Sequence, residues 1–339
     1  MNKPTVSLII ATYNRRSRIA RSVESVLCQT NPPDEIIVIN DGSNDNTSDF
    51  IRQTYRTVKL FQIPNSGVST ARNTGAKLAQ GSILIFLDDD DEMLPNAVES
   101  LTRLLGEFPE ARAAFADHQY LNQITGIHHP DHHGSQPAFD RLRNVPIQRR
   151  IGSASLYDRN LYYALLQGNL LQQPWAIYKQ DFMKTGGFAP GIRYEDWVLF
   201  TKIAHEFPLV LSDEVISKHH IEKELENYHL SLARCEQQIR ATRLLAQAAS
   251  WRDLKAKKAL HRMIGVLHKT EGDRIKEQDL KSAWTHYLKS MQFWPFDHVV
   301  IARLLLWFPE FCLESFKISQ KKKDHEDAFN KIEHYYPDL

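Results

Sequence analysis

The sequence predicts an α/β protein: a mostly parallel sheet with helices on both faces, followed by a helical C-terminal region. Three observations predict it. Short, continuous apolar runs at 6–11, 35–40 and 83–87 read as strands buried on both faces. Segments with helical apolar spacing alternate with these runs over short links, the pattern of strand–helix–strand units. Beyond about residue 221 the strand pattern stops, and apolar residues recur at helical spacing alone.

Residues 6–11 (Val-Ser-Leu-Ile-Ile-Ala) form the first strand, and Thr12-Tyr13-Asn14 its turn. A helix follows over 16–27, with Ile19, Ala20, Val23, Val26 and Leu27 on one face, and Pro32-Pro33 ends the unit. The second strand is 35–40. Asp41 to Asn46 make a turn, and Thr47 or Ser48 is the expected N-cap of a helix running to about Tyr55. A third strand covers 58–63, and Asn65-Ser66-Gly67 opens a helix through Ala79. The fourth strand, 83–87, follows Gly81 and runs into Asp88-Asp89-Asp90-Asp91-Glu92. A helix over 96–108 and a strand over 113–116 complete this half.

Four consecutive aspartates at a strand end would repel one another and raise one another's pKa unless a cation lay among them. Hard oxygen donors of this kind suit Mg or Mn. In a parallel sheet, ligands bind beyond the carboxyl ends of the strands. Thr12-Tyr13-Asn14, Asp41 and the aspartate run each follow a strand, so they are expected on one edge. No Gly-x-Gly-x-x-Gly and no Gly-Lys-Ser/Thr loop occurs, which removes a dinucleotide site and a P-loop. Phosphates would be held by a metal and by side chains, with Arg72 and Asn73 as candidates at a helix start that itself favours anions.

Residues 117–150 change character. They carry His118, His128, His129, His132 and His133 and end with Arg141, Arg143, Arg149 and Arg150. Paired histidines can bind a transition metal, but no closed zinc spacing and no cysteine partner accompany them. A mobile polar loop is expected, placed to help hold a second substrate. Order returns with a strand over 171–178, a helix over 180–185 and the tight turn Gly186-Gly187-Phe188. Glu195-Asp196 then opens an amphipathic helix. An acidic pair there complements the helix dipole, and a carboxylate beside a cleft can also take a proton from a hydroxyl. Short strands at 210–211 and 215–217 lead to Lys218-His219-His220.

The C-terminal region carries Leu244, Leu245, Leu254, Leu260, Ile264 and Leu267, then Trp284, Tyr287, Leu288 and Met291. It reads as packed helices with a lysine-rich tail. The mixture of Trp307, Phe311, Phe316 and Lys321 to Lys323 is also that of a membrane-surface face.

With 339 residues, 42% hydrophobic and 24% charged, the chain is long enough for one large domain plus an appendage. A net charge of +1 supplies no general attraction to nucleic acid or acidic membrane. Cys28, Cys235 and Cys312 are far apart, as expected for a reducing cytoplasm. The first residues lack a signal-peptide pattern. The apolar stretch 299–311 is interrupted by Arg303, Pro309 and Glu310 and is too short to span a bilayer.

Four ordered segments resemble the family 2 glycosyltransferases, whose fold is called GT-A. They are Val6-Ser7-Leu8-Ile9-Ile10-Ala11-Thr12-Tyr13-Asn14-Arg15, Asn40-Asp41-Gly42-Ser43-Asn44-Asp45, Gly67-Val68-Ser69-Thr70-Ala71-Arg72-Asn73-Thr74-Gly75 and Phe86-Leu87-Asp88-Asp89-Asp90-Asp91. Gly186-Gly187-Phe188 and Tyr194-Glu195-Asp196-Trp197 resemble the acceptor side of the same family. The resemblance covers about 4–220. It implies a GT-A domain at 1–220, with a nucleotide-binding half 1–116, a variable loop region 117–160 and an acceptor half 161–220. A helical region, 221–339, follows and inherits nothing from the family.

The implied enzyme is inverting and uses Mn or Mg. It takes a nucleotide-sugar, a UDP-sugar by family habit, and a hydroxyl acceptor on a glycan, lipid-linked glycan or protein. Thr12, Tyr13, Arg15, Asp41, Arg72, Asp88 and Asp89 would lie at the nucleotide-sugar, with Asp41 on the uracil edge. Asp90 or Asp91 would hold the metal, with His220 as a further ligand and His219 as its rival. Asp196 matches the catalytic base. A role in glycan or polysaccharide assembly is implied, in the cytoplasm or at the inner face of the membrane, with peripheral contact through the C-terminal helices. Two other classes compete. A nucleotidyltransferase would carry a Gly-x-Gly-Thr-Arg loop where this chain has Ala-Thr-Tyr-Asn-Arg. A non-catalytic sugar-nucleotide or glycan-binding module would not need the intact acidic residues.

Overall fold

The computed structural model describes residues 4–122, 128–129, 142, 144–168, 171, 173–221, 232–248, 253–275 and 280–293. The chain divides into two compact units, residues 1–260 and 261–339. The first opens with β1 (Val6–Thr12), α1 (Ile19–Leu27), β2 (Glu35–Asn40), α2 (Thr47–Thr54), β3 (Lys59–Gln62), α3 (Val68–Leu78) and β4 (Ile83–Asp88). It continues with β5 (Glu92–Met93), α4 (Ala97–Glu107), β6 (Ala113–Asn122), β7 (His128–His129), β8 (Arg149–Ile151) and β9 (Ala154–Tyr157). Then come α5 (Arg159–Leu165), β10 (Trp175–Tyr178), α6 (Lys179–Lys184), α7 (Glu195–Glu206), β11 (Leu209–Ile221) and α8 (Leu232–Ala248). α9 (Leu254–Ile275) and α10 (Leu280–Phe293) end the described chain.

The strands form one sheet in the order β3-β2-β1-β4-β10-β6-β11-β9-β8, with β5 on β11 and β7 on β6. β1 to β4 run parallel, and β6 is parallel to β11. β10 enters antiparallel between β4 and β6. The chain builds β1, β2 and β3 outward, then returns to place β4 on the other side of β1. Reversal of direction leaves a crevice at the carboxyl ends of β1 and β4.

Alternation along the strands sorts the core into two layers. Leu8, Ile10, Ile83, Ile85 and Leu87 face α1, α2 and α4, where they meet Ile19, Val23, Ile51, Val98 and Leu101. On the opposite face Ile9 pairs with Phe86, Phe86 with Trp175, and Trp175 with Phe115. The rings of Phe86 and Phe115 stack on the Trp175 indole at 5.2 and 5.4 Å. Phe182 of α6 and Phe200 of α7 close over this row. α3 covers β1 and β2 on the same side, and Gly75 makes its approach feasible: a Cβ there would lie 2.5 Å from Ile9 Cγ2.

Several expectations are corrected. α1 starts at Ile19, because Arg15 to Arg18 form a separate turn in which Arg15 O accepts from Arg18 N and Ile19 N. Thr47 does not cap α2. It is Asp45 Oδ1 that accepts from Thr47 N at 3.2 Å, with Asn46 in the left-handed region at φ 63°. The strand expected at 113–116 runs on to Asn122, since its parallel pairing with β11 needs backbone groups and not apolar side chains. The two short strands expected at 210–217 are one strand with register irregularities between Ser212 and Ser217. The expected mobile loop at 117–150 therefore carries strand at both ends, and the 117–160 region adds β8, β9 and α5. The strand expected at 171–178 begins only at Trp175. His132, His133, Arg141, Arg143 and the aromatic and lysine residues from Trp307 to Lys323 lie outside the described residues.

Within the second unit, Ala283 and Tyr287 of α10 are fully buried, and the Tyr287 hydroxyl donates to Asp273 Oδ1 of α9 at 2.6 Å. Among the described residues, no helix is long and apolar enough to cross a membrane.

Candidate active site

The polar ends of β1, β2 and β4 meet at one sheet edge. Thr12 is buried at the end of β1, and Tyr13 beyond it is 44% exposed. Asn14 adopts φ 54°, donates its N–H to Ser43 Oγ and accepts from Asn44 N at 2.9 Å, which ties the β1 and β2 loops together. Asp41 is buried and accepts from Ser66 N at 2.7 Å and Gly67 N at 2.8 Å. Its carboxylate therefore holds the turn that starts α3, with Gly67 at φ 86°. That turn in turn aims Arg72.

Arg72 is the centre of the site. Its side chain is 5% exposed and touches three carboxylates: Nη2 lies 2.5 Å from Asp88 Oδ1, and Nη1 lies 2.9 Å from Glu195 Oε1 and 3.0 Å from Asp196 Oδ1. The guanidinium also lies over the Phe188 ring at 5.0 Å. Burial alone would loosen its proton. The facing carboxylates of Asp196, Asp88 and Glu195 outweigh burial and hold the cation more firmly than usual. Next to it, Asn73 grips the backbone of Phe188 from both sides, donating to its carbonyl at 2.8 Å and accepting from its N–H at 2.9 Å. α3 thus fixes the Gly186-Gly187-Phe188 turn and, through Arg72, the start of α7.

Glu195 and Asp196 stand at the N-terminus of α7, after Tyr194 in the left-handed region at φ 69°. Trp197 anchors the helix, its buried indole N–H donating to Leu165 O at 2.5 Å. Burial raises the Asp196 carboxyl to about 7; Arg72 opposes the rise, while Glu195 and Asp88 add to it. A carboxylate tuned to this range can exchange a proton with a hydroxyl near neutral pH.

The four aspartates have four different surroundings. Asp88 faces Arg72. Asp89 is buried, which pushes it up to about 7. Asp90 faces Arg15 Nη1 at 3.6 Å and Arg18 Nη1 at 3.8 Å, and Arg21 donates to its backbone carbonyl at 2.9 Å. Asp91 is buried below, and its carboxyl is raised by burial and by the charges of Asp88 and Asp90. Asp91 Oδ2 lies 3.5 Å from His219 Nε2, which also donates to Gln173 O at 2.6 Å. His219 stacks on the buried His118 ring at 4.1 Å. His220 donates its backbone N–H to Asp91, while its ring Nε2 lies 3.3 Å from Glu92 Oε2.

Among the described residues no three metal-binding side chains already converge as a cluster. The donor chemistry nevertheless fits a hard divalent cation: Asp88, Asp90 and Asp91 are oxygen donors, and burial together with their mutual repulsion raises the carboxyls of Asp90 and Asp91.

Thr12, Arg15, Arg72, Asp88 to Asp91 and Asp196 are brought to one edge, while Asp41 is turned onto the 66–67 backbone and His220 onto Glu92. Sequence reasoning missed Gln173, Arg18, Arg21 and the site-side position of His118. Arg18 and Arg21 follow Arg15 at helical spacing, and that is the signal that could have found them. Gln173 carries no such signal.

A model of the family described as glycosyl transferase family 2 matches residues 7–166. A Haemophilus influenzae protein described as an uncharacterized glycosyltransferase is 30% identical over 204 residues, covering 59% of this chain and 72% of the relative. A Rickettsia bellii protein described as an uncharacterized glycosyltransferase and the Bacillus subtilis protein described as “Putative glycosyltransferase EpsH” are 39% and 34% identical over 104 and 110 residues, but the chain spans only 15% and 32% of their lengths. Among solved structures, S. aureus TarS 1–349 in complex with UDP-GlcNAc superposes with a TM-score of 0.59 at 16% identity, over 85% of this chain and 81% of that 1–349 fragment. The mannosyltransferase PcManGT of Pyrobaculum calidifontis, in complex with GDP-Man and Mn2+, gives 0.56 at 18% identity, over 92% and 81%. At these identities the structures share the fold, a GT-A α/β sheet.

Proposed function

The chain belongs to glycosyl transferase family 2, and on that premise we propose that it is an inverting glycosyltransferase using Mn or Mg. It moves a sugar from a nucleotide-sugar, by preference UDP-linked, to a hydroxyl of a glycan, lipid-linked glycan or protein. The observation that carries the reading is the Arg72 bridge, which joins Asp88 at the end of β4 to Asp196 at the start of α7. The complexes of TarS with UDP-GlcNAc and of PcManGT with GDP-Man and Mn2+ support it.

In this reading Thr12, Tyr13, Arg15, Asp88 and Asp89 hold the donor. Asp41 shapes the base pocket through the 66–67 turn, and lone pairs left over by its two backbone bonds are available to a uracil edge. Arg72 offsets negative charge on the departing nucleoside diphosphate. Asp90 and Asp91, with His219 or His220, would hold the divalent cation. A cation bound there supplies Lewis-acid neutralisation of the leaving diphosphate. Asp196 takes the proton of the acceptor hydroxyl as its oxygen bonds to the anomeric carbon. The bond to the nucleoside diphosphate breaks on the opposite face, and the configuration inverts. A cytoplasmic setting and a part in glycan assembly go with this reading.

The test is thermal stability against UDP, GDP, dTDP and CDP, each with and without Mn. A ligand at 100 times its Kd stabilises the folded state by about 2.7 kcal/mol. A metal-dependent rise largest with UDP is expected. No rise with any nucleotide would overturn the transferase reading in favour of a glycan-binding module.

A further inference from the structure

Gln173 stands where the donor and base sides of the site meet. Trp175 pairs with Phe86 of β4 and with Phe115 of β6. Gln173 stands two residues before that strand, on the side where β4 runs out into Asp88. It is 3% exposed. Its backbone carbonyl accepts from His219 Nε2 at 2.6 Å, the same nitrogen that lies 3.5 Å from Asp91 Oδ2. Its side-chain Nε2 lies 3.5 Å from Asp196 Oδ1. Its side-chain oxygen is buried and meets no hydrogen-bond donor among the described residues. A buried amide oxygen left without a donor is costly, so it calls for a donor from outside these residues, a water or a ligand group.

We infer that the side-chain oxygen of Gln173 accepts a hydrogen bond from a hydroxyl of the transferred sugar, while its amide nitrogen steadies Asp196. The inference rests on the donor-site reading above. A base that deprotonates the attacking hydroxyl must lie next to the anomeric carbon, and a group beside that base on the buried floor faces the sugar ring. The acceptor arrives later and from the open side. Gln173 is thus a specificity residue. It selects sugars with a hydroxyl at one ring position, because an analogue lacking it leaves the amide oxygen unpaired.

Calorimetric titrations of the full chain with Mn2+ and UDP, UDP-GlcNAc, UDP-glucose, GDP or GDP-mannose test this. For Gln173→Leu, affinity for the bare nucleotide should stay within about twofold of wild type, while affinity for the cognate nucleotide-sugar falls roughly 10- to 100-fold. Among donor analogues each lacking one sugar hydroxyl, one should lose the same factor against the wild-type protein, a measurement that needs no variant to fold. Equal binding of the nucleotide-sugar by wild type and Gln173→Leu, or no loss with any deoxy analogue, overturns the inference alone. If wild type binds none of the nucleotide-sugars, the donor-site reading falls and takes this inference with it.

Discussion

Arg72 Nη1 lies 3.0 Å from Oδ1 of Asp196, although the two are 124 positions apart in sequence. The other guanidinium nitrogen holds Asp88. One buried cation therefore ties the nucleotide-side strand to the helix that carries the candidate base, and it fixes the distance between them.

Removing that cation leaves Asp88, Glu195 and Asp196 facing one another. Breaking a buried ion pair from one side costs about 3 kcal/mol or more. Arg72→Ala should lower the denaturation midpoint accordingly and abolish transfer. Arg72→Lys keeps the charge but loses the two-pronged geometry, so it should recover stability more than activity. Urea unfolding of both variants beside an initial-rate assay checks this, and equal losses in the two would refute it.

Asp196→Asn should cut the transfer rate by about 10²–10⁴, the usual worth of a general base, and leave nucleotide affinity unchanged. Because burial raises the Asp196 carboxyl to about 7, the active, ionised form is lost below that pH. For the wild type, kcat/KM should climb with pH and level off above about 7. A flat profile from pH 5 to 8 would argue that another group takes the proton.

Burial and its acidic neighbours also raise Asp91. A cation that binds there must displace protons, so Mn2+ affinity should rise with pH and binding should release protons. Calorimetry in two buffers of different ionisation enthalpy reads the released protons directly. Asp91→Asn should remove the Mn-dependent part of nucleotide stabilisation. Unchanged Mn dependence would move the metal role to another aspartate.

At the far end of the sheet, burial of Glu35 would raise its carboxyl, but Lys59, Ser7 and Gln80 outweigh it and bring it down to about 2. A lowered folded pKa means stability that is present above the ordinary value of 4.5 and is lost as pH falls toward about 2. The wild type should weaken over that window. Glu35→Gln should be less stable at pH 7 and show a shallower acid loss. Parallel acid unfolding curves for the two would count against this role for Glu35.

Much of this protein was legible in the order of its residues. The runs at 6–11, 35–40 and 83–87 are continuous apolar strands because a parallel sheet is buried on both faces, and that pattern survives in one dimension. The same order places Thr12, Asp41 and Asp88 at strand ends, and hence on one edge. Polar strands were not legible. Asp117 to Asn122 and β8 pair through backbone groups that every residue carries, so no side-chain pattern announces them. The four aspartates look equivalent in sequence and become distinct only through what each faces: Arg72, the buried Thr12, Arg15 with Arg18, and His219. His219 rather than His220 comes to Asp91 because successive strand residues point to opposite faces, and register decides which. Gln173 gains its place beside Asp196 from standing just before β10, the strand that lies between β4 and β6. The sequence alone determined the sheet, its helical layers and the edge where chemistry can occur. Which charges meet there, and at what distance, was decided by the tertiary structure, because those contacts join separate elements, Arg72 and Asp196 being 124 positions apart.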